Sequence, residues 1–158
     1  LVEPSRVFQI GIRGSLNHPG DLAASLDLGY NLITMRELRQ RGVAAVVAQV
    51  KERIGDRPCY LSFDIDFVDP AFAPGTGTPE VGGFTSYETL EMVRSLTGLN
   101  YVGFDVAEVL PSYDPVQVTA LLAATLVYEF ASHVALNLRA RGEAWPVPAV
   151  PEPAPAFR

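Results

Sequence analysis

Residues Tyr60 to Gly83 read YLSFDIDFVDPAFAPGTGTPEVGG, and the parsing of this stretch decides the fold. It continues an apolar run, Cys59 to Ile65, of the kind that forms a buried strand, and then enters a long loop of glycine and proline. Two carboxylates, Asp64 and Asp66, interrupt the run with one isoleucine between them. Burying a carboxylate is costly unless a cation or hydrogen bonds compensate it. On a strand, residues i and i+2 project to the same side, about 6.6 Å apart along the chain. Read as strand residues, both acids therefore project together from its carboxyl end, where open α/β sheets bind ligands. Such a pair can hold divalent cations through oxygen bonds of about 2.1 Å. The plain alternative is that Asp64 accepts backbone hydrogen bonds while Asp66 caps the following turn.

Outward from this strand, β-branched runs alternate with helical patterns. Val7 to Ile12 reads as a buried strand, Arg13 to Gly20 as a loop, and Asp21 as the cap of a short helix to Leu28. Asn31 to Met35 predicts a short strand, and Arg36 to Ile54 a single helix stopped at Gly55. Thr85-x-x-Glu88 is a capping box opening a helix to about Leu96, followed by a strand from Asn100 to Val106. Asp114-Pro115-x-Gln117 predicts the start of a last helix to Arg139, apolar around most of its circumference and so expected to be buried. The β-α-β-α-β-loop-α-β-α order predicts an α/β protein of three layers, α/β/α, around a mostly parallel sheet. Residues 1–141 form this unit, and the proline-rich residues 142–158 form an extended tail.

Composition narrows the function classes. The chain has 158 residues, 48% hydrophobic and 19% charged, with a net charge of −6, which argues against a nucleic-acid footprint. Cys59 stands alone, so no disulfide or CxxC metal knuckle can form within the chain, and a reducing, cytoplasmic location is expected. No signal peptide is visible, and Val116 to Val127, the longest apolar candidate, falls short of the roughly 18 residues of a membrane span. Partner expectations are thus a small molecule, with neither nucleic acid nor membrane. The opening LVEPSRVFQIGIRG, without an initiator Met, reads as the middle of a larger protein.

Two other enzyme types place DxD after an apolar run. Haloacid-dehalogenase-type phosphatases do so, with Val68 loosely meeting their pattern, but no further acidic or lysine motif follows. Sugar-nucleotide transferases also do so, but no nucleotide-binding loop is evident, and GTGTPEVGG lacks the Lys-Ser/Thr of a phosphate-binding loop.

The loop resolves the choice by likeness. SFDIDFVDPAFAPGTGTPEVGG resembles the signature of the ureohydrolases, the arginase–agmatinase family. FQIGIRGSL, GFDVAEVLPSYD and VTALLAATLVYEF are similar to further segments of that family, and PEVGGF and IRGSL look closer to agmatinases and guanidino-acid hydrolases than to arginases proper. The resemblance implies an arginase-like fold, of which this chain is the carboxyl-terminal half, with a strand of the amino half among those seen here. It implies hydrolysis of a guanidino group to urea and an amine at a binuclear manganese site, and a homotrimer or homohexamer.

Carried over residue by residue, Asp64 matches the acid that bridges both metals and Asp66 the one that chelates a single metal. Glu108 matches the carboxylate that receives the substrate guanidinium, and Thr78 a threonine beside that glutamate. His18 falls in the segment resembling the substrate-specificity loop and is expected near the tail of the substrate. Plainer roles are a Glu108–Arg13 ion pair and a turn-stabilising Thr78. Asp69 reads as a turn acceptor and Asp105 as structural, sharing a strand face with no other singled-out acid. The chain departs from the family in lacking the GGDH-type histidine and the DAHxD-type cluster, and its histidines are only His18 and His133, the latter expected to be packed or at the surface. Agmatine and guanidino acids such as guanidinobutyrate both remain candidate substrates, because RGSLNHPGD offers groups suited to either tail. A truncated, non-catalytic half-domain is the rival reading.

Overall fold

The computed structural model describes residues 2–15, 18 and 20–144. Its elements are β1 (Phe8–Ile12), α1 (Asp21–Asp27), β2 (Asn31–Thr34), α2 (Met35–Arg41), α3 (Val43–Ile54), β3 (Cys59–Asp64), α4 (Ser86–Ser95), β4 (Tyr101–Ala107) and α5 (Val118–Ala140). Short 3-10 turns lie at Pro4–Arg6, Ile65–Phe67 and Pro111–Tyr113. Most of the proline-rich tail, from residue 145 on, falls outside the described residues.

The α1 crossover returns the chain parallel to β1, and the α4 crossover returns it parallel to β3. β1 pairs with β2 and β3 with β4, both parallel, as two separate two-stranded sheets. A cavity of about 710 Å³ is lined by β1 on one side, by Leu61 to Asp64 of β3 on the other, and by Met92 and Val93 of α4 with Leu96 just after it. The resemblance implies a further strand among these four, and the cavity lies where the described strands part. Leu38, Val46, Ile65, Val68, Val93, Leu126 and Phe130 form the centre of the core.

Three local expectations change. The helix expected over Arg36 to Ile54 is two helices, because Gly42 adopts φ +80°, a left-handed conformation that ends α2 and starts α3. Thr34 caps α2, accepting from the Glu37 amide at 3.1 Å. Gly20 rather than Asp21 occupies the cap of α1, and Asp21 instead accepts from the His18 amide at 2.9 Å. α5 begins at Val118, after Gln117 in the left-handed region, and Asp114 serves it from outside by accepting from the Ala120 amide at 2.9 Å.

α5 is long and apolar enough, by length and composition, to cross a membrane, which the sequence reading did not anticipate. It packs on β4 and α4, with Leu122, Leu126 and Phe130 buried, but Leu121, Tyr128 and Leu136 are exposed, so it is buried along one side only. β3 likewise alternates. Leu61 and Phe63 pack on the core, whereas Tyr60, Ser62 and Asp64 face outward, in place of the two-sided burial expected of a parallel strand.

Candidate active site

β3 ends at Asp64, and Asp66 sits in the 3-10 turn that follows, so the two acids are not both strand residues. Asp64 Oδ1 accepts from the Asp66 amide at 3.1 Å. It is therefore Asp64 that caps the turn, and not Asp66. The turn buries Ile65 and Phe67 and leaves Asp64 exposed and Asp66 half-buried between and before them. Although the residue as a whole is exposed, partial desolvation of its carboxylate raises the Asp64 pKa above the ordinary value; the Asp66 amide opposes this, and the charges of Asp66 and Glu108 add to the rise. Among the described residues, hydrogen bonds thus compensate Asp64 only in part.

The loop after the turn is pinned at several points. Val68 bridges Phe84 in parallel, and the Asp69 amide donates to the Phe84 carbonyl at 2.8 Å. A Cβ at Gly83 would come within 2.5 Å of the Asp69 nitrogen, so glycine permits this close approach of two backbones. The Asp69 carboxylate accepts from the amides of Ala71 and Gly82 at 3.0 and 2.7 Å, which holds its pKa below the usual range and gives it the turn role expected from sequence. Arg39 lies over the Phe84 ring, 4.9 Å from its centroid, and donates to the Gly83 carbonyl.

Between these pins the GTGTP segment runs past both acids. The Thr78 hydroxyl donates to Asp66 Oδ2 at 2.9 Å, fixing one face of that carboxylate. Glu108 follows the last residue of β4 at φ +61°, a backbone region uncommon for residues other than glycine and frequent at functional sites. A Cβ at Gly77 would lie 4.0 Å from Glu108 Oε2, so the glutamate lies beside the same segment. Asp66 is thus bonded to residue 78, and Glu108 lies beside residue 77. The segment is itself anchored to α5, since the Gly75 amide donates to Thr119 Oγ1 at 2.9 Å and its carbonyl accepts from the Leu110 amide at 2.8 Å.

The structure gathers some candidates and not others. Asp64, Asp66 and Thr78 line the cavity between β1 and β3, together with Arg13, Ser15 and Glu80. Glu108 stands outside that lining, and so does His18, whose Nδ1 accepts from the Gly20 amide at 3.0 Å. Arg13 makes no ion pair with Glu108; its guanidinium donates to backbone carbonyls instead. His133 is packed, with Nε2 2.9 Å from the Val93 carbonyl oxygen and its ring stacked on Tyr101. Asp105 corrects an expectation: it pairs in register with Ser62 and so shares a face with Asp64. It accepts from the hydroxyls of Tyr60 and Ser62 at 2.6 and 2.8 Å, and these bonds lower its pKa.

Thr119 and the backbone contacts of Arg13 are what sequence reasoning missed, because their partners are backbone groups remote in sequence, which leave no pattern of side-chain types to read. Among the described residues, no three His, Cys, Asp or Glu side chains converge as a metal cage.

The parallel α/β frame, with one acid at the end of β3, another in the turn after it and a third after β4, is of the arginase-like fold. The chain belongs to the arginase family, whose model matches residues 1–132. It is 49% identical over 129 residues to a guanidinopropionase of Pseudomonas aeruginosa, covering 82% of this chain and 41% of that protein. It is also 49% identical over 129 residues to an agmatinase of Escherichia coli, covering 82% of this chain and 40% of the other. Proclavaminate amidino hydrolase from Streptomyces clavuligerus superposes with a TM-score of 0.80 at 42% identity, over 85% of this chain and 44% of that structure. The chain thus spans about two fifths of the length of the curated relatives it matches.

Proposed function

We propose that this chain supplies the carboxylate half of a manganese-dependent amidinohydrolase that releases urea and an amine from a linear guanidino compound. The observation that carries the reading is the placing of Asp66 and Glu108 beside the adjacent residues Thr78 and Gly77, on a chain of the arginase family. Asp64 and Asp66 fit a hard divalent cation: both are oxygen donors, and Asp64 is an acid whose charge its neighbours leave under-compensated. They are only part of a ligand set, so the remaining donors would come from outside the described residues.

When bound, a pair of manganese ions supplies the positive charge that activates water for attack on a guanidinium carbon. This chain's residues do the rest of the work assigned here. Glu108 presents a fixed negative charge that orients the guanidinium and favours its cationic form. Thr78 bonds one oxygen of the Asp66 carboxylate, which would leave the other oxygen to hold a cation. The protein is taken to act as a homo-oligomer, trimer or hexamer.

Agmatine is the proposed substrate, giving putrescine and urea. A guanidino acid is the second reading, supported by an identity to the guanidinopropionase equal to that with the agmatinase. Urea release by the complete polypeptide with manganese, from agmatine and from guanidinopropionate and guanidinobutyrate in parallel, tests both. No urea from any of them would leave the non-catalytic half-domain as the surviving reading.

A further inference from the structure

The structure assigns Arg13 a role that sequence alone left open. We propose that Arg13 is a positioning residue of the site, clamping the Asp66 turn to the Glu80 loop through backbone carbonyls, and that it is not a receptor for the substrate's tail. This inference rests on the amidinohydrolase reading for what the turn does, but not for the clamp itself.

Arg13 directly follows β1, and its half-buried guanidinium reaches three separate stretches of chain. Nη2 donates to the carbonyls of Asp66, of Glu80 at 2.7 Å and of Val68 at 3.4 Å. Nε donates to the Val81 carbonyl at 3.3 Å, and Nη1 to the Gly11 carbonyl at 3.4 Å. Every nitrogen of the guanidinium is thereby engaged. No carboxylate lies within ion-pair distance of it among the described residues.

The planar fork explains the residue type. Five donors in fixed directions can bond carbonyls from several segments at once, which a lysine ammonium on a flexible stem cannot reproduce. The consequence for the site is direct. Asp66 is held at its carbonyl by Arg13 and at its carboxylate by Thr78, and Thr78 lies two residues before Glu80, which Arg13 also holds. One side chain therefore fixes both partners of the Thr78–Asp66 bond. Gly14 completes the clamp. Its φ of +90° turns the chain after Arg13, and the Glu80 side chain packs so close that a Cβ there would meet Oε2 at 2.5 Å.

The test uses Arg13→Lys in the complete polypeptide, with Arg13→Gln beside it. Manganese affinity, measured by titration without substrate, is expected to fall by about 10- to 100-fold, the range typical of changes to groups that orient metal ligands. kcat should fall with it, while KM changes by the same factor for agmatine and for guanidinopropionate. A rise in KM confined to the anionic guanidino acid, with manganese affinity unchanged, would overturn the proposal by making Arg13 a tail receptor.

Amide hydrogen exchange over residues 65–82 supplies a readout that needs no activity. It is expected to speed up in Arg13→Lys, and equal exchange in variant and parent would refute the clamp. Should both variants fail to fold, the guanidinium NMR signals of Arg13 in the unmodified protein decide. They stay in place on addition of guanidinopropionate if the clamp is right and shift if the carboxylate docks there. An unmodified protein that neither binds manganese nor releases urea would instead sink the amidinohydrolase reading, while the exchange result still judges the clamp.

Discussion

Asp64 is the residue at which the chemistry and the fold conflict most. Partial desolvation and two neighbouring acids raise its pKa, and the one Asp66 amide it accepts does not offset them. Asp64 is one of the two oxygen donors proposed for manganese, so Asp64→Asn should lower manganese affinity, read by titration, by more than the roughly 100-fold that outer groups cause. Thr78→Val deletes a single hydrogen bond to Asp66 and should cost about tenfold in manganese affinity with the fold intact, read by the same titration and by circular dichroism. Glu108 holds a left-handed backbone that costs a residue other than glycine or asparagine roughly 1–2 kcal/mol. Glu108→Asn, which tolerates that conformation, should leave the melting temperature unchanged or higher while urea release collapses. A stability loss alongside the activity loss would mean that Glu108 is structural.

The elements around the loop carry stability of their own. Thr85 and Glu88 form a complete capping box on α4, so Thr85→Ala should destabilise the protein by about 1 kcal/mol in denaturant unfolding. The Thr85 amide bond, with help from Arg39, holds the Glu88 pKa below its ordinary value. A lowered folded-state pKa gives stability that is present above the unfolded value of about 4.3 and lost as pH falls through the lowered one. Asp69, lowered by the amides of Ala71 and Gly82, acts in the same direction from about 3.9 downward. Stability should therefore drop on acidification below about pH 4.5, and Glu88→Gln should blunt that drop in unfolding midpoints taken across the acid range. The capping box was legible in the sequence because its two side chains lie three residues apart and bond each other's backbone. The break at Gly42 was not, because Leu38, Val43, Val46 and Val50 keep nearly helical spacing through it while the glycine alone reverses the backbone. Asp66 was misplaced for a related reason. A 3-10 turn and a strand end carry the same short apolar pattern, and they are distinguished by the Asp66 amide bonding Asp64 and the Val68 amide bonding the Ile65 carbonyl.

At the scale of the molecule, the order of strands and helices was readable from hydrophobic period and turn residues, and the arginase-type loop from a long run of specific residues. The separation into two parallel pairs was not readable from periodicity, since strand order depends on long-range pairing that no local pattern records. The outward faces of β3 and α5 follow from the same fact: parallel strands are ordinarily covered on both sides, and here only one side has a partner among the described residues. Asp64 and its neighbours are proposed to form part of a manganese-dependent amidinohydrolase. Urea release by the complete polypeptide, measured with and without manganese for the unmodified protein and for Asp64→Ala, tests it most directly. Manganese-dependent urea from agmatine or a guanidino acid, lost in Asp64→Ala, is the predicted result. Undiminished urea release by the folded Asp64→Ala protein would contradict it.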